Sequence, residues 1–203
     1  MNLPNKLTVA RMFMIPVVLA AIMLGGVIMP DYIAYIIAAV LFGLTSFTDF
    51  LDGKIARKYN LVTDFGKFMD PLADKLLVIG TMLCVVYKFD AIRAYFFWAV
   101  LLVIFRELTV TGLRAIAAAA PSGEVIAANM LGKIKTVTQM ACILLVLLEP
   151  ALQYFIESAL GGAENYALHN VFPLSIVTTA LMTVFTLWSG IAYLYQYRRF
   201  LKG

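Results

Sequence analysis

Long apolar runs alternate with short polar breaks along the whole chain. Runs at 12–29, 32–57, 66–87, 91–118, 130–149 and 171–195 are each near the roughly 20 residues a helix needs to cross hydrocarbon. Gly25, Gly26, Pro30 and Asp31 close the first run, and residues 58–65 form a polar loop after the second. Pro71 falls early in the third, where its missing N–H is tolerated. Pro150 is expected to stop the fifth. Glu157, Gly161, Gly162, Glu164 and His169 then interrupt the pattern before the sixth, and Arg198, Arg199 and Lys202 form a basic tail. Ahead of the first run, Pro4, Asn5 and Thr8 are helix-start signals. Residues 2–11 are predicted to form an interfacial helix, with Leu3, Leu7 and Ala10 toward lipid and Lys6 and Arg11 toward water. A basic start followed by an apolar run resembles a cleavable leader, but this run is long and Asn5, Thr8 and Arg11 lead straight into it. It is expected to stay as the first span. The predicted fold is all-α: a polytopic membrane protein with six transmembrane helices and a short N-terminal interfacial helix. No linker, low-complexity tract or repeat divides it, so residues 1–203 are expected to form a single domain.

Composition removes the soluble alternatives. The chain is 63% hydrophobic and 14% charged, with a mean hydropathy of +0.90, which leaves too little polar surface for a water-soluble domain of this size. The net charge of +4 does not imply nucleic acid, because the bases flank apolar runs and suit membrane phosphates. Cys84 and Cys142 lie inside apolar runs and read as inert thiols. Tyr193, Tyr195, Tyr197 and Trp188 read as an interfacial aromatic belt. If the N-terminus is cytoplasmic, six spans leave both termini there. Lys6, Arg11, Lys54, Arg57, Lys58, Lys67, Arg106, Arg114, Lys133, Lys135 and the tail then fall inside, with Lys88 and Arg93 outside, as the positive-inside rule requires.

The acids carry the candidate chemistry. Asp49 and Asp52 are three apart, and Asp70 and Asp74 are four apart, so each pair shares a helix face. The two pairs lie at the inner ends of the second and third runs. Carboxylates at such a depth cost several kcal/mol unless compensated, which makes them functional candidates. Lys54, Arg57, Lys67 and Lys75 can each neutralise one acid, but ion pairing does not account for two same-face pairs at one level. Four carboxylates from two helices make an oxygen-rich nest suited to hard divalent cations. Two such ions can clamp the attacking and leaving oxygens of a reaction on a phosphate. Arg106, Arg114, Lys133 and Lys135 reach the same level as a basic rim. Lys133 and Lys135 point in different directions on a helix, so only one of them is expected to enter the site.

Asp49-x-x-Asp52-Gly53-x-x-Ala56-Arg57, eight residues, then Gly66-x-x-x-Asp70-x-x-x-Asp74 resembles the signature of the CDP-alcohol phosphotransferases at every fixed position. PNKLTVAR, NLVTDFGKFMDPLADK, REL-TVTGLR and LGKIKT further resemble the bacterial members that use glycerol 3-phosphate; the likeness weakens over 151–203. That resemblance implies a phospholipid-synthesis enzyme of the bacterial cytoplasmic membrane, homodimeric and dependent on Mg²⁺ or Mn²⁺. It would transfer the phosphatidyl group of CDP-diacylglycerol to glycerol 3-phosphate and release CMP at the cytoplasmic face. It implies Asp49, Asp52, Asp70 and Asp74 as metal ligands, with Asp74 the general base. Gly53 and Arg57 would contact the CDP diphosphate, Gly66 would make room for the nucleotide and Ala56 would pack. Arg106, Arg114, Lys133 and Lys135 are candidates for the acceptor phosphate, with Asn5, Thr8 and Arg11 closing the same pocket. Two alternatives stand beside this reading. One is the same chemistry on another acceptor, such as serine, an inositol phosphate or phosphatidylglycerol. The other is a divalent-cation transporter, which would favour acids at the midplane with access from both faces.

Overall fold

The computed structural model describes residues 3–58, 63–119, 130–159 and 172–198, with the side chains at 3, 4, 50–58, 64, 67 and 119 left aside. Six helices account for nearly all of it: α1 (Leu3–Met23), α2 (Asp31–Lys58), α3 (Asp64–Lys88), α4 (Asp90–Ala119), α5 (Met130–Ala159) and α6 (Pro173–Gln196). Among the described residues there is no strand beyond an isolated Gly25–Met29 bridge in the α1–α2 turn. Gly26 takes φ +69° there, a conformation that glycine adopts without steric cost.

The helices close a ring in the order α1, α2, α5, α6, α4, α3 and back to α1, and α3 also reaches α2 and α5. Ile15, Val18 and Ile22 of α1 meet Ala34, Ala38 and Phe42 of α2, Leu77, Met82 and Val85 of α3, and Ile143, Val146 and Leu147 of α5 in one core. On α6 the inward seam is Ser175, Thr179, Met182, Thr186, Ser189 and Tyr193. Its alternating spacing of four and three is the helix-packing period, and its small residues let the backbones approach. The outward surface keeps large apolar side chains such as Phe13, Trp98, Phe105, Val184 and Ile191 exposed.

Five helices, all but α3, are long and apolar enough to cross a membrane. Helix α3 is 25 residues long but carries Asp64, Lys67, Asp70, Asp74 and Lys75 in its first half. Of these, Asp70 accepts from Thr8 of α1 and Lys75 donates to Thr111 of α4.

Four expectations change. The N-terminal segment is not a separate interfacial helix: Leu3–Met23 is one continuous helix. Arg11 does not face water; it is 2% exposed, because its face of α1 packs on α2 and α3. Helix α5 does not stop at Pro150 but continues to Ala159. Proline removes one intrahelical hydrogen bond, and neighbouring structure in a membrane protein compensates for that loss. The extension stacks Tyr154 on Tyr32 of α2 at 3.9 Å between ring centroids. The aromatic belt also divides: Trp188 and Tyr195 are exposed, while Tyr193 and Tyr197 are buried against α4.

Candidate functional site

The acids meet where the start of α1 lies across the end of α2 and the start of α3. Thr63 caps α3, its hydroxyl accepting from the Gly66 amide at 3.1 Å and donating to Asn5 Oδ1 at 2.8 Å. One turn along α1, Thr8 Oγ1 donates to Asp70 Oδ1 at 2.7 Å. A further turn on, the Arg11 guanidinium pairs with Asp49 Oδ1. Residues 5, 8 and 11 are thus spaced along one face of α1 and fasten to Thr63, Asp70 and Asp49 in turn. A Cβ on Gly66 would stand 3.5 Å from Asn5 Oδ1 and 3.7 Å from Asp70 Oδ2, so the missing side chain leaves space beside the second oxygen of Asp70.

A second cluster joins α4, α5 and α6 at the same end of the ring. Lys135, 2% exposed, donates to Glu107 and to Gln139; Gln139 is one turn along on the same face. Arg106 Nη1 bonds Glu107 Oε1 at 2.8 Å and Nη2 bonds Ser189 Oγ at 2.6 Å. Its Nε is buried without a partner among the described residues. Arg106 and Arg114 both lie over the Tyr193 ring, 5.7 and 5.6 Å from its centroid, within cation–π range. Arg114 also donates to the Tyr193 hydroxyl at 3.1 Å. Among the described residues of this group, Glu107 is the one negative charge beside three cations, which leaves the cluster cationic.

Asp74 connects the two clusters. It interacts as a like charge with Asp49 and Glu107 and as an opposite charge with Lys135 and Arg11. Asp49 and Asp70 are also close enough to repel. Asp49, Asp70 and Asp74 therefore share one neighbourhood.

The sequence-predicted residues separate accordingly. Asn5, Thr8, Arg11, Asp49, Gly66, Asp70 and Asp74 come together in the first cluster and at its border. Arg106, Arg114 and Lys135 come together in the second. Lys133 is exposed on the other face of α5, as its two-residue offset from Lys135 anticipates. Asp52, Gly53, Ala56 and Arg57 belong to the last turns of α2, with side chains outside the described set. Lys75 does not neutralise an acid but donates to Thr111 Oγ1 of α4. Sequence reasoning missed Thr63, Gln139, Ser189 and Tyr193 as site neighbours. Only Thr63 carries a local signal, as a Thr directly before the acidic first turn of a helix.

Among the described residues, no three acidic, His or Cys side chains converge closely enough to hold a metal ion, and the Asp52 side chain is not in that set. The donors nevertheless suit hard divalent cations. They are carboxylate oxygens on adjoining helix ends, and Thr8 and Arg11 engage Oδ1 of Asp70 and Asp49.

Comparison with known proteins gives this geometry a family. The chain is similar to a Bacillus subtilis protein named CDP-diacylglycerol–glycerol-3-phosphate 3-phosphatidyltransferase, 48% identical over 72% of this chain and 77% of the relative. A Rickettsia felis protein of the same name is 42% identical over 72% of this chain and 75% of its own length. One from Sodalis glossinidius is 31% identical over 98% and 96%. The CDP-alcohol phosphatidyltransferase profile matches residues 1–191, a span that includes both acidic pairs and the charged residues of both clusters, and the chain belongs to that family.

Proposed function

We propose that this protein transfers the phosphatidyl group of CDP-diacylglycerol to glycerol 3-phosphate, giving phosphatidylglycerophosphate and CMP, as the names of its relatives suggest. The observation that carries this reading is the position of Asp74, between the carboxylates of α2 and α3 and the cationic cluster of α4–α6. Such a site offers metal ligands on one side of a proton acceptor and phosphate-binding groups on the other.

Asp49, Asp52, Asp70 and Asp74 would hold two Mg²⁺ or Mn²⁺ ions, which supply electrostatic stabilisation of the diphosphate oxygens. Gly53 and Arg57 contact the diphosphate, and Gly66 leaves room for the nucleotide beside Asp70. Arg106 and Lys135 receive the acceptor phosphate, with Arg114 at their edge and Lys133 attracting the anion from outside. Asn5 and Arg11 close the α1 side of the same space. Asp74 takes the proton of the acceptor hydroxyl. The acceptor oxygen then bonds to the phosphorus that carries diacylglycerol, the bond from that phosphorus to the bridging oxygen breaks, and CMP leaves with the bridging oxygen. Positioning and charge stabilisation account for the catalysis.

In the membrane, α3 is the sixth span, and the first turns of α1 lie at the interface. The chain forms a single domain over 1–203 in the bacterial cytoplasmic membrane, both termini and the active site facing the cytoplasm. The resemblance adds a homodimer. The test is CMP release by purified protein in detergent, with Mg²⁺, CDP-diacylglycerol and a panel of acceptors. Release driven by glycerol 3-phosphate, and not by glycerol, serine, an inositol phosphate or phosphatidylglycerol, is expected. Faster release with any of the others would overturn the acceptor assignment.

A further inference from the structure

Thr8 is 1% exposed, and its hydroxyl donates to Asp70 Oδ1 at 2.7 Å, the usual length for an O–H···O bond. A hydroxyl has a single proton to donate, and this one is given to Asp70 rather than to a substrate. Asp70 Oδ2, in contrast, faces the space left by Gly66. We propose that Thr8 is a positioning residue: it holds one oxygen of Asp70 so that the other points into the metal site. This deepens the reading of Asp70 as a metal ligand and reassigns Thr8 from the acceptor pocket to the support of a ligand.

The flanking contacts favour this role. Asn5 fastens the preceding turn of α1 to the cap of α3, and Arg11 fastens the following turn to Asp49. Helix α1 is therefore held in register with α3 on both sides of Thr8. The contact joins residues 62 apart in the chain, so it exists only once α1 has packed on α3. A ligating carboxylate whose second oxygen is held by a hydrogen bond keeps its orientation, and removing such a partner typically lowers metal affinity 10–100-fold.

The test uses the full chain in detergent without substrate, with Mn²⁺ binding read by the loss of the free-ion electron paramagnetic resonance signal. Thr8→Val keeps the side-chain shape and removes the donor; Thr8→Ser keeps the donor. Thr8→Val is expected to weaken Mn²⁺ binding about 10–100-fold, with Thr8→Ser close to wild type. At saturating Mg²⁺, Thr8→Val should regain turnover with an unchanged KM for glycerol 3-phosphate. Unaltered Mn²⁺ affinity in Thr8→Val overturns the proposal, and so does a raised glycerol 3-phosphate KM at saturating Mg²⁺, which would return Thr8 to the acceptor pocket. If Thr8→Val does not fold, Thr8→Ser decides: a tenfold loss of Mn²⁺ affinity in that variant counts against the proposal, and wild-type affinity supports it. Wild-type protein that binds Mn²⁺ but releases no CMP with glycerol 3-phosphate would overturn the acceptor assignment alone, since the binding measurement judges Thr8 without it.

Discussion

The described charged groups at this end of the ring differ in their partners, and the consequences of mutation differ with them. Asp70 has one oxygen on Thr8 and the other toward the Gly66 space, so Asp70→Asn preserves shape and hydrogen bonding while removing the charge a divalent ion requires. That variant should fold and lose Mg²⁺-dependent CMP release; near-normal release would remove Asp70 from the metal site. Lys135 uses two of its three donors on Glu107 and Gln139, leaving one for an anion. A charge-assisted contact is worth about 1.5–3 kcal/mol, so Lys135→Ala should raise the KM for glycerol 3-phosphate by one to two orders of magnitude. The KM for CDP-diacylglycerol should move much less, and equal changes in both would mean the acceptor pocket is misplaced. Arg57→Lys keeps the charge but loses the planar fork that matches a diphosphate. Turnover should fall steeply in that variant, and unchanged CMP release would take Arg57 off the diphosphate.

The helices owe their mutual placement to a few contacts at each end as much as to the apolar core. At the end opposite the acids, Glu149 of α5 is 2% exposed and caps α6, accepting from the Leu174 and Ser175 amides at 2.8 and 2.7 Å and from the Ser175 hydroxyl. Lys88 there donates to the Gly25 carbonyl at 2.7 Å, closing α3 against the α1–α2 turn. Glu149→Ala would orphan three donors, two of them on the buried Ser175, and each buried donor left unpaired costs about 1–3 kcal/mol. The thermal midpoint should drop clearly, while both KM values stay near wild type because the cap is remote from the site. A shift in either KM without a drop in the midpoint would contradict a purely structural role.

For the whole molecule, the ring places every reacting candidate at one end and leaves Lys88 and Arg93 at the other. The proposed orientation puts the first end in the cytoplasm. Starting from a chain with Cys84 and Cys142 replaced by Ala, Arg93→Cys should react with a membrane-impermeant maleimide on intact cells. Lys133→Cys, exposed at the other end, should react only after permeabilisation. The reverse pattern would invert the topology.

Much of this was legible in the chain because membrane helices obey few rules. Apolar runs near 20 residues located the helices, five of them apolar enough to span, although α1 at Leu3–Met23 begins and ends ahead of its run at 12–29; same-face spacing paired Asp49 with Asp52 and Asp70 with Asp74. The two-residue offset between Lys133 and Lys135 anticipated that one is buried and the other exposed. Local pattern misjudged the elements where a long-range contact outweighed it. Pro150 reads as a stop, yet α5 continues and packs Tyr154 on Tyr32. Arg11 reads as water-facing, yet Asp49 on another helix draws it inward. Tyr193 reads as a belt residue, yet two arginines of α4 lie over its ring. By itself, the sequence determined the helical class, the apolar spans and the acidic signature, since these depend on neighbours within a few turns. Only the tertiary structure decided the ring order, the Glu107 link between Arg106 and Lys135 and the hold of Thr8 on Asp70. Those contacts join residues 28 to 62 apart wherever they cross between helices, and no local periodicity encodes which helices become neighbours.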